Sequence, residues 1–196
     1  FDREPVAAAS IGQVHRAVTH DGATVAVKVQ YPGVAEAIEH DVANFRVFLP
    51  LAGMLAPGAD VATMAEELTQ GLRAELDYLR EAAWQQRFYD RFEDHPFVRI
   101  PRVYHDLTTT HILTQEFIEG RPFAGAYAMS QAERNRIAEI IFRYCFGSVY
   151  RHKLFNGDPH PGNYILCEDG RVGFVDYGCI VEFDAATIAK FVAIIR

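Results

Sequence analysis

This chain is poor in cysteine, poor in basic charge and without a long apolar run. Its three cysteines, Cys145, Cys167 and Cys179, have no paired spacing. That excludes a disulfide framework and leaves buried thiols in a reducing compartment as the ordinary reading. Lys and Arg number 19 against 26 Asp and Glu, a net charge of −7, which argues against a broad basic face for nucleic acid and leaves local basic clusters open. The longest apolar segment, Val47 to Ala56, is too short to span a bilayer and carries Pro50 within it. Nothing at the amino end resembles a signal peptide, and there is no internal repeat or low-complexity linker. What is present is a 49% hydrophobic share over 196 residues, enough to bury a core in one domain or two small lobes. The chain starts at Phe1 and ends inside an amphipathic run, and is read as a piece of a longer protein. The expected location is cytoplasmic, with any membrane association supplied by segments outside this chain.

The most informative stretch lies near the end, Phe155-Asn156-Gly157-Asp158-Pro159-His160-Pro161-Gly162-Asn163. Two short apolar runs follow, Tyr164 to Cys167 and Val172 to Val175, joined by a turn at Glu168-Asp169-Gly170, and then Asp176-Tyr177-Gly178. This reads as a rigid loop, a β-hairpin and an acidic turn. Asp158 and Asn163 have the separation of the D-x-x-x-x-N catalytic loop of protein kinases, and Asp176-Tyr177-Gly178 stands where their D-F-G turn follows. Such a set places one carboxylate to orient a hydroxyl, and an amide with a second carboxylate to hold Mg²⁺. Asp, Asn, Gly and Pro are also ordinary turn residues, so each pair alone is weak; the ordered combination carries the reading.

Towards the start, Pro5 to Gly12 is a run of small residues. Gln13 to Val18 and Ala23 to Gln30 alternate as strands across a turn at His20-Asp21-Gly22. Val25, Val27 and Val29 share one face, so Lys28 projects from the other. A small-residue loop between strands, with a lysine on the second, is how a kinase covers a nucleotide; a solvent-facing lysine is the commoner fate. Val34 to Leu49 has helical spacing through Val34, Ile38, Val42 and Phe45, with Pro50 and Pro57-Gly58 as breakers. Asp60 caps a further long helix, predicted to run to about Phe92. Its charges include Arg73, Asp77 and Glu81, which suit a solvated face with Arg73 attracting Asp77. Glu75 and Glu81 are both candidate partners for Lys28. At about 100° per residue they cannot share one face of a straight helix, so they should have different jobs unless it bends near Gly71.

Pro101 to Asp106 and His111 to Ile118 are predicted strands, stopped by Glu119-Gly120-Arg121-Pro122. Backbone groups from Glu116 through Phe117 to Ile118 could meet an adenine there, or the segment could be a plain hairpin exit; the residues alone leave both open. Ser130 and Glu133 form a capping box for a helix with a core stripe through Ile137, Ile140, Ile141, Tyr144, Cys145 and Val149. Asp184 caps a last helix through Ile188, Phe191, Val192 and Ile195.

Over nearly its whole length the chain resembles the UbiB family, also called the AarF/ADCK family, of atypical protein-kinase-like proteins. The residues carrying the resemblance are Ala7-Ala8-Ala9-Ser10-Ile11-Gly12-Gln13-Val14-His15, Val25 to Val34, Glu75-Leu76-Asp77-Tyr78 with Glu81-Ala82, Gly157 to Asn163, and Asp176-Tyr177-Gly178. It implies an α+β, two-lobed protein-kinase-like fold: an N-lobe over 1–120 with an antiparallel sheet and long helices, and a partial helical C-lobe over 121–196. It implies ATP or ADP with Mg²⁺ as cofactors. Ala7, Ala8, Ala9 and Ser10 would replace the kinase glycine loop, expected to be stiffer and closer to helical because alanine lacks glycine's φ freedom. Lys28 would take the α/β-phosphates with Glu81 as its helix partner. Glu75 and Asp77 would form the family's Glu-x-Asp pair facing the nucleotide, and Glu116 with Phe117 would meet the base. Asp158 would be the catalytic aspartate, and Asn163 and Asp176 the metal pair.

The implied function is an atypical kinase or ATPase supporting ubiquinone or other isoprenoid-lipid metabolism. The implied partners are a nucleotide and an isoprenoid lipid or quinone-biosynthesis proteins, with no nucleic acid and no transmembrane segment in this chain. A small-molecule phosphotransferase of the aminoglycoside type shares Gly157-Asp158-x-His160-x-x-Asn163, and a non-catalytic nucleotide- or lipid-binding scaffold is the alternative of another class. The chain departs from the resemblance in lacking the family's Lys-x-Gly-Gln segment and the later C-lobe helices, in Asn156-Gly157 where kinases have His-Arg, and in Tyr177 where they have Phe. The isolated piece is therefore expected to bind nucleotide poorly or fold incompletely, and to be inactive even if the parent is active.

Overall fold

Alternating valines, one close-packed glycine and a lysine on the opposite face set the first sheet. The computed structural model describes residues 1–55 and 60–195. Strands β1 (Ala7–Ala9), β2 (Gly12–Val18), β3 (Thr24–Gln30) and β5 (Ile112–Glu116) form a sheet in the order β1-β2-β3-β5. β2 and β3 pair antiparallel from Gly12↔Gln30 to Val18↔Thr24. Their turn needs Gly22, whose φ is +90°, where a side chain would be strained. Gly12 is required for a different reason: a Cβ there would lie 2.1 Å from the Val29 carbonyl oxygen. Ala17, Val25 and Val27 bury against one another, with Val29, Tyr104 and Ile112 packed around them.

Helices α1 (Val34–Leu55) and α2 (Val61–Glu75) follow, then α3 (Tyr78–Phe92). The remaining strands are β4 (Val98–Arg99), β6 (Arg121–Pro122), β7 (Leu154–Asn156), β8 (Tyr164–Leu166), β9 (Val172–Phe174) and β10 (Ile180–Glu182), with helices α4 (Gln131–His152) and α5 (Ala185–Ile195). The described chain divides into two compact units, 1–81 with 104–114, and 82–103 with 115–196. The expected lobe boundary at residue 120 is a different cut, because α3 and β5 each continue from the first unit into the second. The class is α+β, as expected.

Four local expectations are corrected. Ala7 to Ala9 is extended, not helical: Ala7↔Val14, Ala8↔Gln13 and Ala9↔Gly12 pair in the ladder, and three residues before a turn cannot meet the cost of nucleating a helix. Pro50 does not end α1, which continues to Leu55; a proline removes one i→i−4 bond but leaves propagation on either side. Pro57-Gly58 lies outside the described residues. The helix expected from Asp60 to Phe92 is two helices, parted at Leu76-Asp77. Pro101 to Asp106 is not a strand: only Val103 bridges to Gln115, Pro101 has no N–H for a ladder, and His105–Leu107 is a 3₁₀ turn closed by Thr108 Oγ1 donating to the Tyr104 carbonyl at 2.8 Å.

The second unit is built on an aromatic core. Phe88, Phe92, Tyr144, Phe174 and Tyr177 cluster with Val98, Ile140, Leu154, Leu166 and Val172. Tyr144 stacks on Phe174 at 3.7 Å between centroids. The capping box of α4 is complete: Ser130 Oγ accepts from the Glu133 amide, and the Glu133 carboxylate accepts from the Ser130 amide. Asp184 accepts from the Thr187 amide at 2.7 Å and caps α5. The sheet order β4-β9-β8-β6 and the separate β10-β7 pair complete this unit. Tyr177 OH donates to the Phe174 carbonyl at 3.1 Å, and Tyr144 OH to Tyr177 OH at 3.4 Å. Burial pushes the Tyr177 phenol well up, with Tyr144 beside it as the second cause; burial also raises Tyr144.

These features predict two outcomes. In the full-length protein, Gly12→Ala should lose about 1–3 kcal/mol by overpacking, whereas Gly71→Ala, mid-helix with open space around it, should gain about 0.5–1 kcal/mol. Thermal unfolding checks the opposite signs. The raised phenols make a pH statement as well. Both stay neutral in the fold, so their contribution is intact below the unfolded tyrosine value near 10 and is lost as the pH rises above it. An alkaline absorbance titration should show Tyr144 and Tyr177 ionising only as the protein unfolds, with the late signal reduced by two tyrosines in the Tyr144→Phe, Tyr177→Phe double variant, while Tyr164, pushed up to about 12 by burial, still contributes to it.

Candidate functional site

One face of β3 carries Lys28 and Gln30, two residues apart and therefore on the same side. Lys28 is 7% exposed and Glu81 4%. Lys28 Nζ donates to both Glu81 oxygens at 3.0 Å, and lies 5.1 Å from the centroid of the Tyr78 ring. The lysine is thus not a solvent-facing one, and its partner is Glu81 rather than Glu75. Two opposite charges can share so dry a site only when paired this closely.

Gln30 was not singled out from sequence. Its Nε2 donates to the Leu76 carbonyl at 2.8 Å and to the Thr110 carbonyl at 3.3 Å, and its Oε1 meets His111 Nδ1 at 2.9 Å. Leu76 is where α2 stops. The Asp77 carboxylate then accepts from the Leu79 and Arg80 amides at 3.1 and 3.2 Å and starts α3, while the Tyr78 amide donates to the Thr110 carbonyl. Glu75 and Glu81 do different work, as expected, and the break that parts them lies at Leu76-Asp77. Glu75 accepts from Ser10 Oγ at 3.0 Å, tying the end of α2 to the turn after the three alanines. Asp77 is engaged as a cap, and Arg73 pairs with Glu39 of α1 at 2.7 Å instead of with Asp77. The available signal for Gln30 was its place two residues from Lys28 on the polar face.

In the second unit the loop after β7 and the turn after β9 are stitched together. Asn156 Nδ2 donates to the Asp176 carbonyl at 2.9 Å, and Asn156 Oδ1 accepts from the Asp158 amide at 3.1 Å. Gly157 donates its amide to the Cys179 carbonyl at 2.7 Å, and Val175 donates to the Asn163 carbonyl at 3.2 Å. Asn163 Nδ2 donates to Asp158 Oδ2 at 3.0 Å. Asp176 Oδ1 accepts from the Gly178 amide at 3.0 Å. Asp158, Asn163 and Asp176 are thereby held by one hydrogen-bonded set. Asn156, which stands where kinases have histidine, is its central link, and sequence reasoning gave it no role. With Nδ2 of Asn163 engaged, its Oδ1 is left as the donor for a metal. The pair offers hard oxygen ligands, which fits Mg²⁺, an ion commonly held by one or two protein oxygens plus phosphate and water. Among the described residues no group of three or more His, Cys, Asp and Glu is arranged to hold a metal by itself.

Glu116 donates its amide to the Arg102 carbonyl at 2.7 Å, and its carboxylate pairs with Arg99. Its side chain is thus occupied within the second unit, and Phe117 follows it, half-buried. Two grooves in this unit, of about 420 and 190 Å³, are lined respectively by residues including His95, Arg136 and Arg143, and by residues including Tyr89, Arg99 and Glu116. No helix among the described residues is long and apolar enough to cross a membrane.

The model of the ABC1 atypical kinase-like domain family matches residues 1–196. The mitochondrial atypical kinase COQ8B of Rattus norvegicus is 36% identical over 197 residues, covering 100% of this chain and 37% of that protein. The mitochondrial atypical kinase COQ8 of Saccharomyces cerevisiae is 35% identical, covering 97% of this chain and 38% of that protein. The chain thus spans less than two fifths of the length of these relatives. The solved complex of Rv3197 with erythromycin from Mycobacterium tuberculosis matches with a TM-score of 0.83 and 39% identity, covering 93% of this chain and 46% of that one. On a family match along its whole length, and with the alanine-rich turn and Glu-x-Asp pair in place, this chain belongs to the ABC1 atypical kinase-like family, the UbiB group that its motifs resemble.

Proposed function

We propose that this chain carries the nucleotide-handling residues of a Mg²⁺-ATP-dependent atypical kinase or ATPase, serving ubiquinone or other isoprenoid-lipid metabolism. The observation that supports it most is the buried, two-pronged Lys28–Glu81 pair. Replacing such a pair by apolar residues is often neutral or stabilising, so its retention points to a use other than stability. A lysine held this way is positioned to meet α/β-phosphates.

The other roles follow the same chemistry. Ser10, bonded to Glu75, steadies the extended alanine segment that stands in place of a glycine loop over the phosphates. Asn163 and Asp176 hold Mg²⁺, which when bound neutralises phosphate charge. Asp158, fixed by the Asn163 amide and the Asn156 side chain, orients an acceptor hydroxyl or water and takes its proton. Backbone groups from Glu116 to Ile118 meet the base. The Ser10–Glu75 bond supports the UbiB reading over an aminoglycoside-type phosphotransferase, because it joins the two features that distinguish this family's motifs.

Asp176→Asn removes the charge and keeps the shape. In calorimetric titrations of the full-length protein with ATP, with and without Mg²⁺, it should lower affinity for Mg²⁺-nucleotide at least about tenfold, roughly 1.4 kcal/mol. Unchanged Mg²⁺ dependence would sink the metal assignment.

A further inference from the structure

Gln30 is 9% exposed and sits two residues from Lys28 on the same face of β3, about 6.6 Å further along the strand. Its carboxamide is engaged at both ends, entirely within the first unit. Nε2 donates to the Leu76 and Thr110 carbonyls, and Oε1 meets His111 Nδ1. The two carbonyls fix the amide's orientation, since the reverse flip would set Oε1 against both, so His111 donates from Nδ1. The Thr110 carbonyl also accepts from the Tyr78 amide at 3.1 Å, and the Gln30 amide donates to the His111 carbonyl at 3.2 Å. The side chain therefore grips the chain where α2 ends and α3 begins. Glu81 lies one helical turn further on, its amide donating to the Asp77 carbonyl at 3.2 Å. β3 thus holds the first turn of α3 at two points, Gln30 at the residue before the cap and Lys28 at Glu81. A helix fastened at Glu81 alone is free to swivel about that contact. The second fastening fixes its rotation and its place along the strand.

We propose that Gln30 is a positioning residue: by fixing the start of α3 it sets the place of Glu81, and through Glu81 the direction in which Lys28 Nζ is presented. It acts through Glu81 and not by contact with nucleotide. The chemistry suits a carboxamide. An ionised glutamate would offer acceptors only, against two carbonyls. A lysine would offer donors only, with a second charge beside Lys28. The effect of Gln30 on nucleotide affinity rests on the function proposed above, whereas its effect on the Lys28–Glu81 pair does not.

The test uses the full-length protein with ¹³C-labelled lysine, and Gln30→Met, which keeps length and apolar bulk but has neither the donors nor the acceptor. The NMR signal of the Lys28 ε-carbon, assigned by its absence in Lys28→Arg, is read without nucleotide. In the parent it should stand apart from those of exposed lysines, because Nζ is held against Glu81 and 5.1 Å from the centre of the Tyr78 ring. In Gln30→Met it should move towards them, and Kd for Mg²⁺-ATP should rise about tenfold, the scale of two lost hydrogen bonds. If Gln30 serves the fold alone, the unfolding temperature drops while the Lys28 signal stays. That result would overturn the proposal and leave ATP binding by the parent intact. A signal that moves with no change in Kd would overturn it too, as would a parent signal already among those of exposed lysines. Where the methionine variant does not fold, His111→Ala, at an exposed position, removes the donor to Oε1. It should shift the Lys28 signal in the same direction and less far, and an unmoved signal there overturns the proposal. A parent that binds no Mg²⁺-ATP would sink the nucleotide reading by itself, since the Lys28 signal still decides whether Gln30 positions the pair.

Discussion

The burial of Lys28 against Glu81 is the constraint on which the first unit's arrangement depends. A lysine and a glutamate this dry must be paired, and both Glu81 oxygens must reach one Nζ. Glu81 does so from α3, which starts afresh after the break at Leu76-Asp77. Gln30 secures that new start from the same face of β3 by taking the Leu76 carbonyl, and Asp77 supplies the cap. Once the break exists, Glu75 is free to take Ser10. The lysine's partner, the helix break and the tether on the alanine turn are therefore one arrangement seen at three places.

The second unit solves a different problem, that of holding several polar groups close together without collapse. Asn156 does so by bonding forward to the Asp158 amide and across to the Asp176 carbonyl. The short carboxamide donates through Nδ2 and accepts through Oδ1 at once, whereas a protonated histidine or an arginine offers donors only. Tyr177 anchors the acidic turn from beneath, fully buried against Phe88 and Tyr144. Its hydroxyl, absent in phenylalanine, is satisfied by the Phe174 carbonyl. The two departures from the kinase pattern are thus accommodated by specific hydrogen bonds.

Much of this was legible in the sequence because it rests on local chemistry. The β2–β3 hairpin announced itself by alternation and a glycine turn, α4 by its capping box and α5 by Asp184. What was not legible depended on partners distant in the chain. Alanine's helix propensity pointed the wrong way at Ala7 to Ala9 because the ladder with β2 outweighs it. The unbroken periodicity from Asp60 to Phe92 hid a stop enforced by Gln30 and Thr110. Pro50 looked like a terminator, since the sequence reveals the lost bond and not the helix continuing past it. The residues alone left Glu75 and Glu81 both open as partners of Lys28, and it was the resemblance that favoured Glu81.

On the proposed function, the buried Lys28–Glu81 pair serves the nucleotide and not stability. The most direct measurement is a double-mutant cycle with Lys28→Met and Glu81→Leu in the full-length protein, reading both unfolding free energy and Mg²⁺-ATP affinity. Each single variant leaves one buried charge unpaired and should lose about 3–5 kcal/mol of stability. The double variant should recover most of that loss and still fail to bind Mg²⁺-ATP. A double variant that binds Mg²⁺-ATP as tightly as the parent would contradict the account.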